Sequence, residues 1–157
     1  MKTRSHGFTL VEVMVVILVI GILNAMLIPG VRNLRQRVYA TRLANDFQKI
    51  QHGLELAITE LGYAPRDGYP GRFPDELEPY LPTEALDRSL VNATWDWENW
   101  TGRRRPFDLG LTLRWRRIEP INENVMERVD AILDDGDLAT GAFQEERRFG
   151  GYAIILD

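Results

Sequence analysis

The sequence predicts an α+β fold, in which a long N-terminal α-helix packs on a small antiparallel β-sheet. An apolar run extends from Phe8 to Ile28 and stops at Pro29, and helical periodicity continues beyond it to Leu61. From Ala93 onward, apolar and polar residues alternate instead, as in strands with one buried face. With 157 residues, the chain has room for this helix and one small domain with its own core.

The apolar run has the length of a membrane span. A helix of residues 8–28 is about 31 Å long at 1.5 Å per residue, which matches a hydrocarbon core about 30 Å thick. Lys2 and Arg4 precede the run, so the positive-inside rule predicts a cytoplasmic N-terminal segment and a domain on the opposite side. Glu12 is the one acidic residue of the run. Because a carboxylate at the bilayer centre costs on the order of 2.5–3.5 kcal/mol, Glu12 is expected to have a function.

The stretch Gly7–Glu12, GFTLVE, resembles the processing site of type IV pilins and of the pseudopilins of type II secretion. Pro29 falls where that family has a helix proline. The resemblance implies a pilin-like fold with three parts: a leader peptide, 1–7; a transmembrane and assembly helix, 8–29; and a periplasmic globular domain, 30–157, which includes the second half of the long helix.

The same resemblance implies how the chain is processed. A prepilin peptidase would cleave between Gly7 and Phe8 and methylate the new amine of Phe8. In a stack of parallel helices, the Glu12 carboxylate of one subunit would neutralise the Phe8 amine of its neighbour, and Pro29 would belong to the same assembly helix. The buried charge would then guide filament assembly.

Within this family, the absence of cysteine favours a type II secretion pseudopilin, because many pilus pilins close a C-terminal loop with a disulfide. The implied partners are the prepilin peptidase, other pilin-like subunits, an inner-membrane assembly platform and its cytoplasmic ATPase. The implied location is the bacterial inner membrane, with a single span and a periplasmic domain. The alternatives are a type IV pilus or competence pilin, a DNA-binding minor pilin and, from a different class, a simple membrane-anchored periplasmic domain.

Beyond Pro29, one apolar face at helical spacing is expected to turn toward the globular domain. Arginines on the remaining faces are expected to meet lipid phosphates, acidic groups of a neighbouring subunit, or only solvent. The apolar positions are Val31, Leu34, Val38, Leu43, Phe47, Ile50, Leu54, Ile58 and Leu61, and the arginines are Arg32, Arg35, Arg37 and Arg42.

After the helix ends near Gly62, residues 62–72 are rich in glycine and proline and predict a surface loop. One short helical turn is expected to begin at Pro74. Residues 107–116 alternate as a half-buried strand, with Phe107, Leu109, Leu111, Leu113 and Trp115 on the apolar side. A helix over 122–133 and a closing strand over 149–157 complete the pattern.

Two candidate sites follow from side-chain chemistry. The turn that contains Asp134, Asp135 and Asp137 offers the oxygen ligands that calcium requires. The alternative is a solvent-exposed turn without a metal, which would have the same kind of sequence. Trp95, Trp97 and Trp100 lie near Arg103, Arg104 and Arg105, a combination that can stack bases and contact phosphates. Nucleic-acid binding is nevertheless not expected, because the net charge is −4 and the tryptophans fit the apolar face of a strand.

No enzymatic activity is expected. His52 is the one histidine outside the predicted leader, and no partner for it is visible. Ser89 lies outside any nucleophile elbow, and the chain has neither a phosphate-binding loop nor a dinucleotide fingerprint. No cofactor other than calcium is suggested.

Overall fold

The computed structural model describes residues 8–69, 71–86, 93–102, 107–115, 122–146 and 151–156. The order of elements is α1 (Leu10–Leu61), a 3-10 helix (Glu78–Tyr80), α2 (Thr83–Leu86), β1 (Ala93–Asn99), β2 (Leu109–Trp115), α3 (Glu123–Leu133), β3 (Phe143–Glu146) and β4 (Gly151–Ile155). The chain divides into two compact units, Met1–Arg37 and Val38–Asp157. The predicted α+β fold is confirmed: a long N-terminal helix packs on a four-stranded antiparallel sheet.

Helix α1 has 52 residues and contains Pro29. It ends where the sequence predicts, because the backbone N–H of Gly62 donates to the Ile58 carbonyl at 2.9 Å and Gly62 has a φ of 73°. A left-handed residue at this position satisfies a terminal carbonyl, and glycine adopts it without steric cost.

The buried stripe of α1 begins later than its apolar pattern. Leu43, Phe47, Ile50 and Leu54 are fully buried, and small residues such as Ala40 lie among them. The predicted stripe began at Val31, but Val31, Leu34 and Val38 are exposed. The prediction was therefore wrong for the first two turns after Pro29, because periodicity marks an apolar face without showing what covers it.

The four strands form one antiparallel sheet in the order β1-β2-β4-β3. Phe47 of α1 makes edge-to-face contacts with Trp95 and Phe143 from opposite edges of the sheet, at ring-centroid distances of 4.6 and 5.0 Å. Leu111, Leu113, Tyr152 and Ile154 line the same core. The predicted faces of β1 and β4 are confirmed, whereas Phe107 was assigned wrongly. It precedes β2 and packs on Trp100 in a second apolar cluster with Ala153 and Ile155.

The second face of β1 and β2 is buried as well, although alternation predicted a polar, solvated face. Asp96 and Glu98 are 2% and 1% exposed, and both face Arg114. The Arg114 guanidinium lies 3.1 Å from Asp96 Oδ2 and donates a hydrogen bond to Glu98 Oε1. Thr112 Oγ1 also donates to Glu98, at 3.2 Å. Two carboxylates therefore share one guanidinium inside the fold.

The loop after α1 contacts both faces of β1, which is an edge strand of the sheet. The indole N–H of Trp97 donates to the Pro65 carbonyl at 3.0 Å, and the Asn99 amide donates to the Ala64 and Pro65 carbonyls. On the second face, the Gly71 N–H donates to Asp96 Oδ1 at 3.1 Å. The loop thereby shields edge strand β1, since these contacts replace solvent along it.

Several local elements differ from the expectations. A turn begins at Pro74 as expected, since the Pro74 carbonyl accepts from the Leu77 N–H at 2.9 Å, and the 3-10 helix Glu78–Tyr80 continues it. Helix α2, which follows, was not predicted. Strand β3 has no counterpart among the predicted elements. The closing strand is Gly151–Ile155, and residues 147–150 and 157 lie outside the described part of the chain. Helix α3 begins one residue after the predicted start, because the Asn122 side chain caps it by accepting from the Asn124 N–H.

Candidate functional site

The first turn of α1 is closed by a reciprocal pair of side chains. The backbone N–H and the hydroxyl of Thr9 both donate to Glu12 Oε2, at 2.8 and 2.7 Å, and the Glu12 N–H donates back to Thr9 Oγ1 at 3.3 Å. This is a capping box, with a threonine before the helix and a glutamate three residues later. Glu12 therefore has polar partners within its own chain.

The helix surface that follows is apolar and exposed on all sides. Residues 8–34 are all exposed, and their large apolar side chains range from Val31, at 46%, to Phe8, at 79%. Among the described residues, α1 is the one helix long and apolar enough to cross a membrane, by length and composition. A surface of this kind requires lipid or protein to cover it.

The residues of the predicted processing site are only partly described. Gly7 and the rest of the leader 1–7 lie outside the described residues. Phe8 precedes α1, Glu12 lies in its first turn, and both are exposed, whereas Pro29 lies inside the helix. The role of Glu12 toward a neighbouring Phe8 amine stays a prediction, and Thr9 is a polar group at this site that sequence reasoning left out.

The acidic turn after α3 brings three carboxylates together. Oxygens of Asp130, Asp134 and Asp135 lie within 4.8 Å of one another. Asp137, named with Asp134 and Asp135 as a calcium ligand, instead accepts from the Ala139 N–H at 3.0 Å in the following turn. Asp134 Oδ2 accepts from the N–H groups of Ala142 and Phe143, so it also anchors the start of β3.

Asp130 is the site residue that sequence reasoning missed. Its side chain is fully buried, and within the described part of the chain neither carboxylate oxygen has a hydrogen-bond partner. Burial, with the charges of Asp135 and Asp134, raises the pKa of Asp130 to about 6, while the backbone amide of Gly136 acts against this shift. Helical spacing could have predicted the burial of Asp130, since it lies four residues after Met126 on the buried stripe of α3.

An acidic groove lies beside this turn. Its volume is about 520 Å³, and its carboxylates come from Glu123 and Glu127 of α3, Asp137 of the turn and Glu145 of β3. Burial raises the pKa of the nearby Tyr152 phenol to about 12, and the charges of Glu145, Glu123 and Glu127 add to that rise. The groove therefore presents a concentrated negative potential.

The tryptophans considered for base stacking are buried. Trp95, Trp97 and Trp100 are 5%, 0% and 3% exposed, so their faces are not accessible to a nucleic acid. Arg103, Arg104 and Arg105 lie outside the described residues. The tryptophans pack the two faces of the sheet instead.

Comparison with known proteins identifies the family to which the N-terminal segment of this chain is similar. A family model described as the prokaryotic N-terminal methylation motif matches residues 2–28. The type II secretion system core protein G of Klebsiella michiganensis is 31% identical over 98 residues, which cover 48% of this chain and 69% of that protein. The chain therefore belongs to the type IV pilin-like family that carries this motif, whose members are structural subunits and not enzymes.

Other relatives divide between two machines. The type II secretion system core protein G of Aeromonas hydrophila is 33% identical over 55 residues, or 35% of this chain. A fimbrial protein of Pseudomonas aeruginosa is 39% identical over 60 residues, or 38% of this chain. The chain spans 38% of the length of each of these two relatives. No solved structure matches the chain.

Proposed function

We propose that this protein is a pseudopilin subunit of a type II secretion system. It is inserted in the bacterial inner membrane, cleaved between Gly7 and Phe8 by prepilin peptidase and methylated at Phe8. An assembly platform and a cytoplasmic ATPase then add it to a short periplasmic filament that drives protein secretion. The leader 1–7, the assembly helix 8–29 and the domain 30–157 are the parts of this cycle.

One observation favours secretion over a pilus. The similarity to the Klebsiella protein G covers 69% of that protein, whereas the similarity to the Pseudomonas fimbrial protein covers 38%. The match to the Klebsiella protein covers 48% of this chain and therefore extends beyond α1, which ends at Leu61. The absence of cysteine supports the same choice. A type IV pilus or competence pilin is the alternative within the family.

The exposed surface of α1 supports the transfer from lipid to filament. The same apolar residues, from Leu10 to Ile28, can be covered by acyl chains before assembly and by neighbouring helices afterwards. The capping box holds the Glu12 carboxylate against Thr9 and lowers the cost of carrying it through the lipid stage. In the filament, the Phe8 amine of a neighbouring subunit becomes its counter-ion.

The intact mass and N-terminal sequence of the protein from membranes test this proposal. In cells with a prepilin peptidase, we expect a chain that begins at methylated Phe8, and in cells without the peptidase, a chain that keeps residues 1–7. A chain cut after Ala25 or beyond would assign the protein to ordinary secreted or anchored domains.

A simple anchor is distinguished by the Glu12→Ala variant. For an anchor, removal of the carboxylate leaves membrane insertion at least as efficient and has no further effect. For a filament subunit, insertion is retained but co-assembly with native subunits fails, because the Phe8 amine loses its counter-ion. Glu12→Asp, which keeps the charge, is the matched control and is expected to retain part of the assembly.

We also propose that the turn after α3 binds calcium. The observation that favours it is Asp130, whose buried carboxylate has no hydrogen-bond partner among the described residues and lies close to the carboxylates of Asp134 and Asp135. A hard divalent cation with oxygen ligands would compensate this concentration of negative charge. It would also tie the end of α3 to the start of β3, because Asp134 already contacts Ala142 and Phe143.

Isothermal titration of the full chain in detergent micelles with calcium tests this site. We expect a binding heat and, at a hundred times Kd, a gain of about 3 kcal/mol in the free energy of unfolding. Asp130→Asn is expected to abolish both effects. Asp137→Asn is the matched control and retains them if Asp130, Asp134 and Asp135 are the ligands. Absence of a calcium heat with the native chain would exclude the proposal.

A further inference from the structure

Charge is distributed unevenly along this chain. Residues 1–37 contain five basic residues and one acidic residue, whereas residues 38–157 contain fourteen basic and twenty-two acidic residues. No aspartate or glutamate occurs between Glu12 and Asp46. Two copies of the chain therefore carry complementary surfaces, if the basic stretch of one meets an acidic surface of the other.

The basic stretch has a defined face. Arg32 and Arg35 are exposed, and at 3.6 residues per turn they lie within about 60° of one another around the helix axis. Arg37 lies on the opposite side of the same turns. We call the surface of Arg32 and Arg35 the basic face.

The acidic groove matches this face in spacing and charge. Glu123 and Glu127 are one turn apart on α3 and exposed, as Arg32 and Arg35 are on α1, and residues at this spacing are about 5–6 Å apart. Within the described part of the chain, neither Glu123 nor Glu127 has an ion-pair partner. Asp137 lines the groove and adds a third carboxylate.

We propose that the basic face of one subunit docks into the acidic groove of a second copy of this chain. The contact is heterologous, since the two surfaces differ, and repeated heterologous contacts generate an open polymer and not a closed dimer. This inference rests on the proposed filament assembly and adds the surfaces that would determine the register between subunits. Arginines here also interact with the negative potential of their partner before contact, which raises the association rate.

Cysteine crosslinking between copies tests this contact, because the native chain contains no cysteine. Val31 is exposed next to the basic face, and Ala139 is exposed in the acidic groove. Full-length processed chains with Val31→Cys are mixed with full-length processed chains with Ala139→Cys, transferred from detergent into lipid vesicles and treated with a short bismaleimide. We expect a crosslinked product from this pair. A control pair, Val31→Cys with Thr83→Cys, places the second thiol on exposed helix α2 and is expected to give none.

Charge reversal shows whether the contact is electrostatic. Arg32→Glu with Arg35→Glu, or Glu123→Lys with Glu127→Lys, is expected to reduce the crosslinked fraction about tenfold, and mixing the two reversed chains is expected to restore it. Arg37→Glu and Glu84→Lys are matched controls elsewhere on the surface and should leave the yield unchanged.

Any of three crosslinking results would overturn the inference. The native surfaces with Val31→Cys and Ala139→Cys could give no product, reversal could leave the yield unchanged, or the mixed reversed chains could fail to recover it. A fourth result concerns lipid. If charge reversal at Arg32 and Arg35 lowers the fraction of protein that stays bound to anionic vesicles but not the fraction bound to zwitterionic vesicles, the basic face binds lipid phosphates and the docking proposal is wrong. Whether native chains form polymers is measured separately, by sedimentation. Polymers without the crosslink contradict only this contact, whereas the absence of polymers contradicts the proposed function.

Discussion

Thr9 and Glu12 satisfy each other's polar groups at the first turn of α1, so the residue with a predicted intermolecular role also has an intramolecular one. Replacement of the threonine hydroxyl in a cap costs about 0.5–2 kcal/mol of local helix stability. We therefore expect Thr9→Ala to accelerate amide hydrogen exchange in micelles at Glu12, whose N–H donates to the Thr9 hydroxyl. Thr9→Ser keeps the hydroxyl and is the control. Equal exchange in the two variants would show that the capping box contributes nothing to the first turn.

Glu98 is the residue whose burial predicts a pH dependence. Burial raises the pKa of Glu98 to about 7 despite the Arg114 guanidinium beside it, and burial also raises the pKa of the neighbouring Asp96. A carboxyl whose pKa is higher in the folded chain stabilises the fold below its unfolded pKa, near 4.5, and this contribution is lost as the pH rises toward 7.

We therefore expect the free energy of unfolding of the native chain, relative to Glu98→Gln, to fall by up to about 3 kcal/mol between pH 5 and pH 8. Denaturant unfolding of both chains in micelles at each pH measures this difference. Glu84→Gln changes an exposed carboxylate and is the control. A constant difference between native and Glu98→Gln chains would mean that Glu98 titrates alike in the folded and unfolded states.

At the scale of elements, Gly53 determines how closely the segment around Tyr80 approaches α1. A Cβ atom at Gly53 would clash with the Tyr80 carbonyl oxygen and lie 3.2 Å from its carbon, which is backbone that cannot rotate away. Alanine favours helices over glycine by about 1 kcal/mol, but overpacking costs about 1–3 kcal/mol. The clash is expected to outweigh the propensity.

We expect Gly53→Ala to lower the midpoint of denaturant unfolding of the full chain in micelles. Gly30→Ala is the matched control, since a Cβ atom there has no neighbour within 4 Å and the helix propensity gain remains. If the Gly53→Ala chain is as stable as the Gly30→Ala chain, α1 and the segment around Tyr80 can move apart at little cost in free energy.

At the scale of the whole molecule, the core belongs to the unit Val38–Asp157. Every buried apolar residue of the described chain lies at or after Ala40, and residues 8–34 are all exposed. We expect a chain of residues 38–157 to fold without detergent and to unfold cooperatively, as measured by near-ultraviolet circular dichroism. A chain of residues 48–157 lacks Leu43 and Phe47 and is expected not to fold, because Phe47 joins the two edges of the sheet. Cooperative unfolding of the shorter chain would contradict this assignment of the core.

Local sequence patterns predicted much of the secondary structure of this protein. The long helix, its end at Gly62, the faces of β1 and β4, and helix α3 followed from periodicity and from residues that begin or end helices. Strand β3 did not, because its sequence, Phe-Gln-Glu-Glu, has one apolar residue and pairs with β4 only after the chain has turned back. Short strands of this kind are defined by their partner more than by their own composition.

The sequence by itself determined the apolar helix, the GFTLVE motif with Glu12 and the α+β architecture, because spacing along the chain and residue chemistry are local properties. Tertiary structure alone decided that Asp130 joins Asp134 and Asp135, and that the second face of the sheet is closed over Asp96 and Glu98. Asp130 is close to its partners in sequence, but its burial depends on how α3 packs in the fold. The cover over Asp96 comes from the loop at Gly71, which is distant in sequence. Burial is a property of the folded surface, and no pattern within a single segment specifies what will cover it.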